Sequence, residues 1–181
     1  MAEEQPPEVK AEARQFMRDL MAGPPVEDDF VGGNGVDMTA WKSMYKAAKS
    51  KDSALMESFW SMYDPTSTSI WTMVYDEADS NENLEDTIDI VKDFVNNSES
   101  LATHCFGVMH ILEGLEIEGI WFFNGPNPEQ LFGINEDTSW YSWSQIGPDA
   151  NEFVKKAVAS YIAPLDNKLH GKIIKDTQAF A

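Results

Sequence analysis

The 181-residue sequence holds 31 acidic residues against 13 basic ones, a formal net charge of -18. That charge repels phosphate backbones and anionic lipid headgroups over a Debye length, which weighs against bulk nucleic-acid or membrane binding; no direct DNA binding and no membrane insertion are expected. One cysteine, Cys105, leaves no internal disulfide, and no apolar run reaches the ~18 residues of a membrane span, so a soluble, cytoplasmic protein with one core plus an extra segment is expected.

Residues 1–37 contain Pro6-Pro7, Gly23-Pro24-Pro25 and Gly32-Gly33-Asn34-Gly35, with nine acids against three bases. Such composition buries too little apolar surface to fold alone, and reads as a largely disordered linker with a possible short helix at Val9–Met21. From Asp37 the pattern changes. Trp41, Met44, Tyr45 and Ala48 recur at helical spacing behind Asp37 or Thr39 as N-cap, and a second helix follows from Ser53 over Leu55, Met56, Phe59, Trp60 and Met62 until Asp64-Pro65. Ser69–Tyr75 reads as a strand, Asp76–Glu82 as an acidic loop, and Leu84, Ile88, Val91 and Val95 as the inner face of a helix from about Glu82 to Val95.

Thr103–Leu112 and Ile117–Gly125 are both strand-like and lie close enough to form an antiparallel hairpin. Alternation puts Ile117, Gly119, Trp121 and Phe123 on one face and Glu118, Ile120 and Phe122 on the other, the pattern of a central strand covered on both sides. Pro126–Asp137 reads mostly as loop, and Trp140–Ile146 alternates aromatic and serine residues as a half-exposed strand does. A helix after Gly147-Pro148-Asp149 carries Phe153, Val154, Ala157, Val158 and Tyr161, and His170–Lys175 reads as a short edge strand. The fold expected is α+β, an antiparallel β-sheet of about five strands flanked by α-helices, over residues 38–181.

No catalytic constellation emerges. His104 and His110 share a strand face by their even spacing, yet no CxxC, HExxH or clustered acid–histidine spacing supplies a metal ligand set, and neither a metal nor another cofactor is expected. Cys105 beside His104 points to the opposite face and reads as a buried inert thiol. The glycine cluster before the first helix lacks the lysine of a phosphate-binding loop. Most of the tryptophans at 41, 60, 71, 121, 140 and 143 are expected in the core, and any left exposed would anchor an interface. Trp140, Tyr141 and Trp143 are the candidates, because Trp140 and Trp143 cannot share one face of a strand. Trp71, Trp121 and Trp143 could line an aromatic groove for a small ligand or peptide, which is the alternative function. Lys168, Lys172 and Lys175 form a basic cluster, with Lys172 its binding candidate.

The strings FWxxYDPTSTSIWxxxY (Phe59 to Tyr75), IEGIWFFNG (Ile117 to Gly125), YSWxxIGP (Tyr141 to Pro148) and HGKIIK (His170 to Lys175) resemble, in order and spacing, the C-terminal domain of eukaryotic elongation factor 1-gamma. Ser67-Thr68, Asn124 and Ser144-Gln145 depart from the family pattern of a Gly-Trp pair, an Arg and an Arg-Lys pair. The resemblance implies a non-catalytic interaction or scaffolding domain that follows a linker and a glutathione-transferase-like domain, so that the chain is expected to be a fragment. It implies the gamma subunit of the elongation factor 1B complex, whose partners are the other elongation factor 1B subunits and elongation factor 1-alpha; guanine-nucleotide exchange resides in other subunits.

Overall fold

The computed structural model describes residues 35–181; the linker and the Val9–Met21 helix lie outside the described residues. Asp37 caps helix α1 (Met38–Ala47) by accepting from the Ala40 N–H at 3.0 Å, and Asp52, rather than Ser53, caps α2 (Ser53–Met62) through the Leu55 N–H at 3.1 Å. Strand β1 (Thr68–Tyr75) leads to α3 (Leu84–Asn97), capped by Asn83 on the Asp86 N–H at 2.8 Å. The hairpin is β2 (Cys105–Leu112) and β3 (Ile117–Asn124). The expected loop beyond it folds instead into a short helix, α4 (Glu129–Ile134), and a 3₁₀ turn at Glu136–Trp140. That turn absorbs Trp140, so β4 starts one residue later than expected (Tyr141–Gln145). Helix α5 (Glu152–Ile162) is capped by Asn151, not opened at Gly147, and is followed by β5 (Lys168–Leu169) and β6 (Lys172–Phe180).

The sheet has six strands, all antiparallel neighbours, in the order β4-β1-β3-β2-β6-β5. The tail that read as a short edge strand is a nine-residue strand pairing along β2, from Gly107↔Phe180 to Leu112↔Ile174, with a bulge between Ile111 and Leu112. Strand β3 lies in the middle, and its two faces divide as alternation requires. Ile120 and Phe122 join Ile70, Phe106 and Val108 in a core closed by Trp41, Tyr45, Phe59, Val154, Val158 and Tyr161 from α1, α2 and α5. Ile117, Trp121 and Phe123 join Trp71, Met73, Met109 and Ile111 in a second core closed by Val91 and Phe94 of α3 and Leu131 of α4. The sheet is thus the middle of three layers, which accounts for the near-continuous apolar run in β2 and β3.

Two close approaches fix the stacking. Gly107 lies against the Trp121 ring, where an added Cβ would come within 2.3 Å of it. A Cβ at Gly119 would meet the Val108 carbonyl oxygen at 2.8 Å. Asn124, at the end of β3, grips the segment entering α1: its carbonyl accepts from the Val36 N–H and its amide donates to the Val36 carbonyl, both at 2.9 Å.

Candidate functional site

Four of the aromatic residues that sequence singled out, Trp71, Trp121, Tyr141 and Trp143, share the layer beneath α3. Phe94 enters the layer with its ring centroid 5.4 Å from Trp121, 5.0 Å from Tyr141 and 6.4 Å from Trp143. Phe132 closes on Trp143 at 5.3 Å, and Phe180 on Trp121 at 5.6 Å. The edge-on and tilted arrangements are those that aromatic quadrupoles prefer. The indole N–H groups at the rim find partners: Trp71 donates to Ser69 Oγ and Trp143 to the Thr138 carbonyl, each at 3.1 Å. Asn135 secures the α3 end from within, its amide donating to the Phe94 carbonyl and to Ser98 Oγ, both at 2.9 Å.

This layer is filled, not open. Trp71, Trp121, Tyr141 and Trp143 are all 5% exposed or less, so the aromatic-lined groove expected around Trp71, Trp121 and Trp143 is a packed interior, and Tyr141 and Trp143 are not surface anchors. The alternation of β4 was legible, but which of its faces is covered depends on α3 and the 3₁₀ turn, which pack only in the folded chain. Among the three candidates of that segment only Trp140 reaches the surface, at 39% exposure. Lys172 is on the surface too, but its ammonium is held by Glu116 Oε1 at 2.5 Å, which also keeps the Glu116 carboxyl below its ordinary range.

The histidines and the cysteine of the described residues do not converge on one site. His104 precedes β2 and is exposed, whereas His110 is buried, so the two do not share a strand face. His110 Nε2–H donates to the Tyr161 carbonyl at 2.6 Å, which leaves Nδ1 to accept from the Thr177 hydroxyl at 2.8 Å. Both nitrogens are occupied, and burial lowers the ring's pKa from its ordinary value. Burial pushes the Cys105 thiol up to about 12, away from the reactive thiolate. Lys42, 7% exposed, donates to the Ala102 carbonyl at 2.6 Å and lies 4.1 Å from the Phe180 ring centroid; desolvation brings it down to about 8. His170 Nδ1 lies 3.2 Å from Glu118 Oε2 at the end of the sheet. Among the described residues no three His, Cys, Asp or Glu side chains gather as a metal ligand set.

Sequence reasoning passed over the outward residues of the β1–β4 corner, Thr72, Val74, Ser142 and Ser144. The signal was present in the serines that alternate with Tyr141 and Trp143. Among the described residues no helix is long and apolar enough to cross a membrane.

A six-stranded antiparallel sheet between helical layers, with Trp71, Trp121, Tyr141 and Trp143 packed in one of its two cores, defines an α+β domain. A family model described as "Elongation factor 1 gamma, conserved domain" matches residues 27–127, and the chain belongs to that family. It is 28% identical over 145 residues to probable elongation factor 1-gamma 2 of Arabidopsis thaliana, covering 77% of this chain and 35% of that protein. Similarity to elongation factor 1-gamma 1 of Oryza sativa subsp. japonica is 26% over 145 residues, 77% of this chain and 34% of the relative. The elongation factor 1-gamma of Prunus avium is 23% identical over 177 residues, 94% of this chain and 42% of the relative. The chain spans about a third of the length of the first of these curated relatives.

Proposed function

We propose that residues 38–181 form a non-catalytic interaction domain of a translation elongation factor 1-gamma subunit, acting in the cytoplasm within the elongation factor 1B complex. The partners are the other subunits of that complex and elongation factor 1-alpha. Family membership supplies the setting. The observation that carries the reading is the use made of the reactive and aromatic groups. Trp71, Trp121, Tyr141 and Trp143 are buried in the layer under α3, Cys105 is buried with its thiol raised, and both nitrogens of His110 are bonded. What this leaves to act is the surface, acidic and carrying Trp140 as its exposed indole. Exposed aromatic side chains and complementary charge are what protein–protein interfaces draw on.

The test is to immobilise the 181-residue chain and pass over it each purified elongation factor 1 subunit in turn. Retention of at least one subunit, weakened by added salt, is expected. Passage of every subunit without retention would defeat the reading.

A further inference from the structure

Asn124 sits where three parts of the chain meet. It closes β3 opposite Thr68 of β1, its N–H donates to the His104 carbonyl at 2.9 Å, and its side chain holds the segment entering α1. That hold needs a short amide. The side-chain carbonyl accepts from the Val36 N–H while the NH₂ donates to the Val36 carbonyl, both at 2.9 Å, and asparagine is the shortest side chain with an acceptor and a donor on one planar group. Gly35, at φ 61°, lies directly against that amide, and a Cβ added there would collide with Asn124 Oδ1. The residue after Asn124 is constrained as well. Gly125 has φ 142°, a conformation that a side chain disfavours, and its N–H donates to the Ser67 carbonyl at 3.0 Å. The fold therefore calls for asparagine and glycine in succession.

Asn-Gly is the dipeptide in which a side-chain amide is most readily lost, because glycine has no Cβ to hinder attack by its own backbone nitrogen. We propose that Asn124 is a site of spontaneous deamidation, held off while its clasp on Val36 is closed. In the reaction the Gly125 nitrogen gives its proton to hydroxide and bonds to Asn124 Cγ; the Cγ–Nδ2 bond breaks, and ammonia leaves with a proton taken back from solvent. Water then opens the cyclic succinimide at one carbonyl or the other, leaving aspartate or isoaspartate. Both reacting groups are engaged in the folded chain, the Gly125 N–H on Ser67 and the Asn124 amide on both polar groups of Val36. Attack requires the side chain to leave Val36 and turn to its own backbone, so local opening of the clasp gates the chemistry. The product does not restore the clasp. A carboxylate has no hydrogen to give the Val36 carbonyl and sets a charged oxygen against it, and the isoaspartate form adds a methylene to the main chain at the end of β3. Modification turns a reversible opening into a permanent one.

The full 181-residue chain and a synthetic peptide spanning Trp121–Pro128 are incubated at the same mildly alkaline pH. Conversion at Asn124 is followed by mass mapping of proteolytic peptides, with the aspartyl and isoaspartyl forms separated by chromatography. The folded chain is expected to convert at least tenfold more slowly than the peptide. Gly35→Ala leaves Asn124-Gly125 intact but drives a methyl group onto the amide, and it removes the Asn-Gly dipeptide at 34–35, so the mass change reads residue 124. This variant, its folding checked by circular dichroism, should convert at least threefold faster than the parent. Asn124→Asp, the product made directly, should raise the hydrogen-exchange rate of the Val36 amide at least tenfold. Equal conversion in chain and peptide, no acceleration in folded Gly35→Ala, or an unchanged Val36 exchange rate in Asn124→Asp would each overturn the proposal, and the first and last of these decide it even if Gly35→Ala does not fold.

Discussion

Gly107 and Trp121 show how a single residue sets the stacking of the inner layer. The indole lies where a methyl group on residue 107 would have to go, so Gly107→Ala must displace either the Trp121 ring or β2. Overpacking of this kind costs about 1–3 kcal/mol, and urea unfolding of the variant should show a loss of that size. Lys42 makes a different residue-scale contribution. Burial holds it at about 8 against an ordinary 10.5. Between those values the unfolded chain keeps a proton that the folded chain has released, so stability attributable to Lys42 rises with pH through this window, and the full desolvation cost is present below it. The stability of Lys42→Met relative to the parent should therefore fall between pH 7 and pH 10.5, as the parent sheds the cost of its buried charge. Urea midpoints of both proteins at the two pH values read this directly; an equal gap at both would contradict it.

At the scale of elements, β3 was legible because alternation assigns Ile117, Trp121 and Phe123 to one face and Ile120 and Phe122 to the other whatever covers them. Helix α3 was legible from Leu84, Ile88, Val91 and Val95, but Phe94, as fully buried as Val91, is a residue the four-three-four spacing passed by. Phe94→Ala should cost about 3–5 kcal/mol and loosen Trp121, Tyr141 and Trp143 together, visible as a loss of near-ultraviolet circular dichroism beyond that of one phenylalanine. What sequence could not supply was the cover. The β4 pattern is the same whether its aromatic face looks to solvent or to α3, and only the folded chain brings α3 and the Glu136–Trp140 turn over it. The tail was underestimated for a related reason: Asp176, Thr177 and Gln178 look polar in isolation, yet their backbones pair with the apolar β2.

For the whole molecule, three layers with a helical face on either side leave an acidic exterior and two aromatic-rich cores. The residue types that attract a catalytic reading are distributed rather than gathered: Cys105 under α3, His110 under α5, and His170 with Glu118 at the sheet end. The most direct measurement is a titration of the ¹⁵N-labelled chain with each purified elongation factor 1 subunit. The account predicts that at least one subunit shifts a contiguous set of surface amides while those of the buried Trp121 and Phe123 remain in place. Spectra unchanged by every subunit, or shifts confined to the interior around Cys105 and His110, would contradict it.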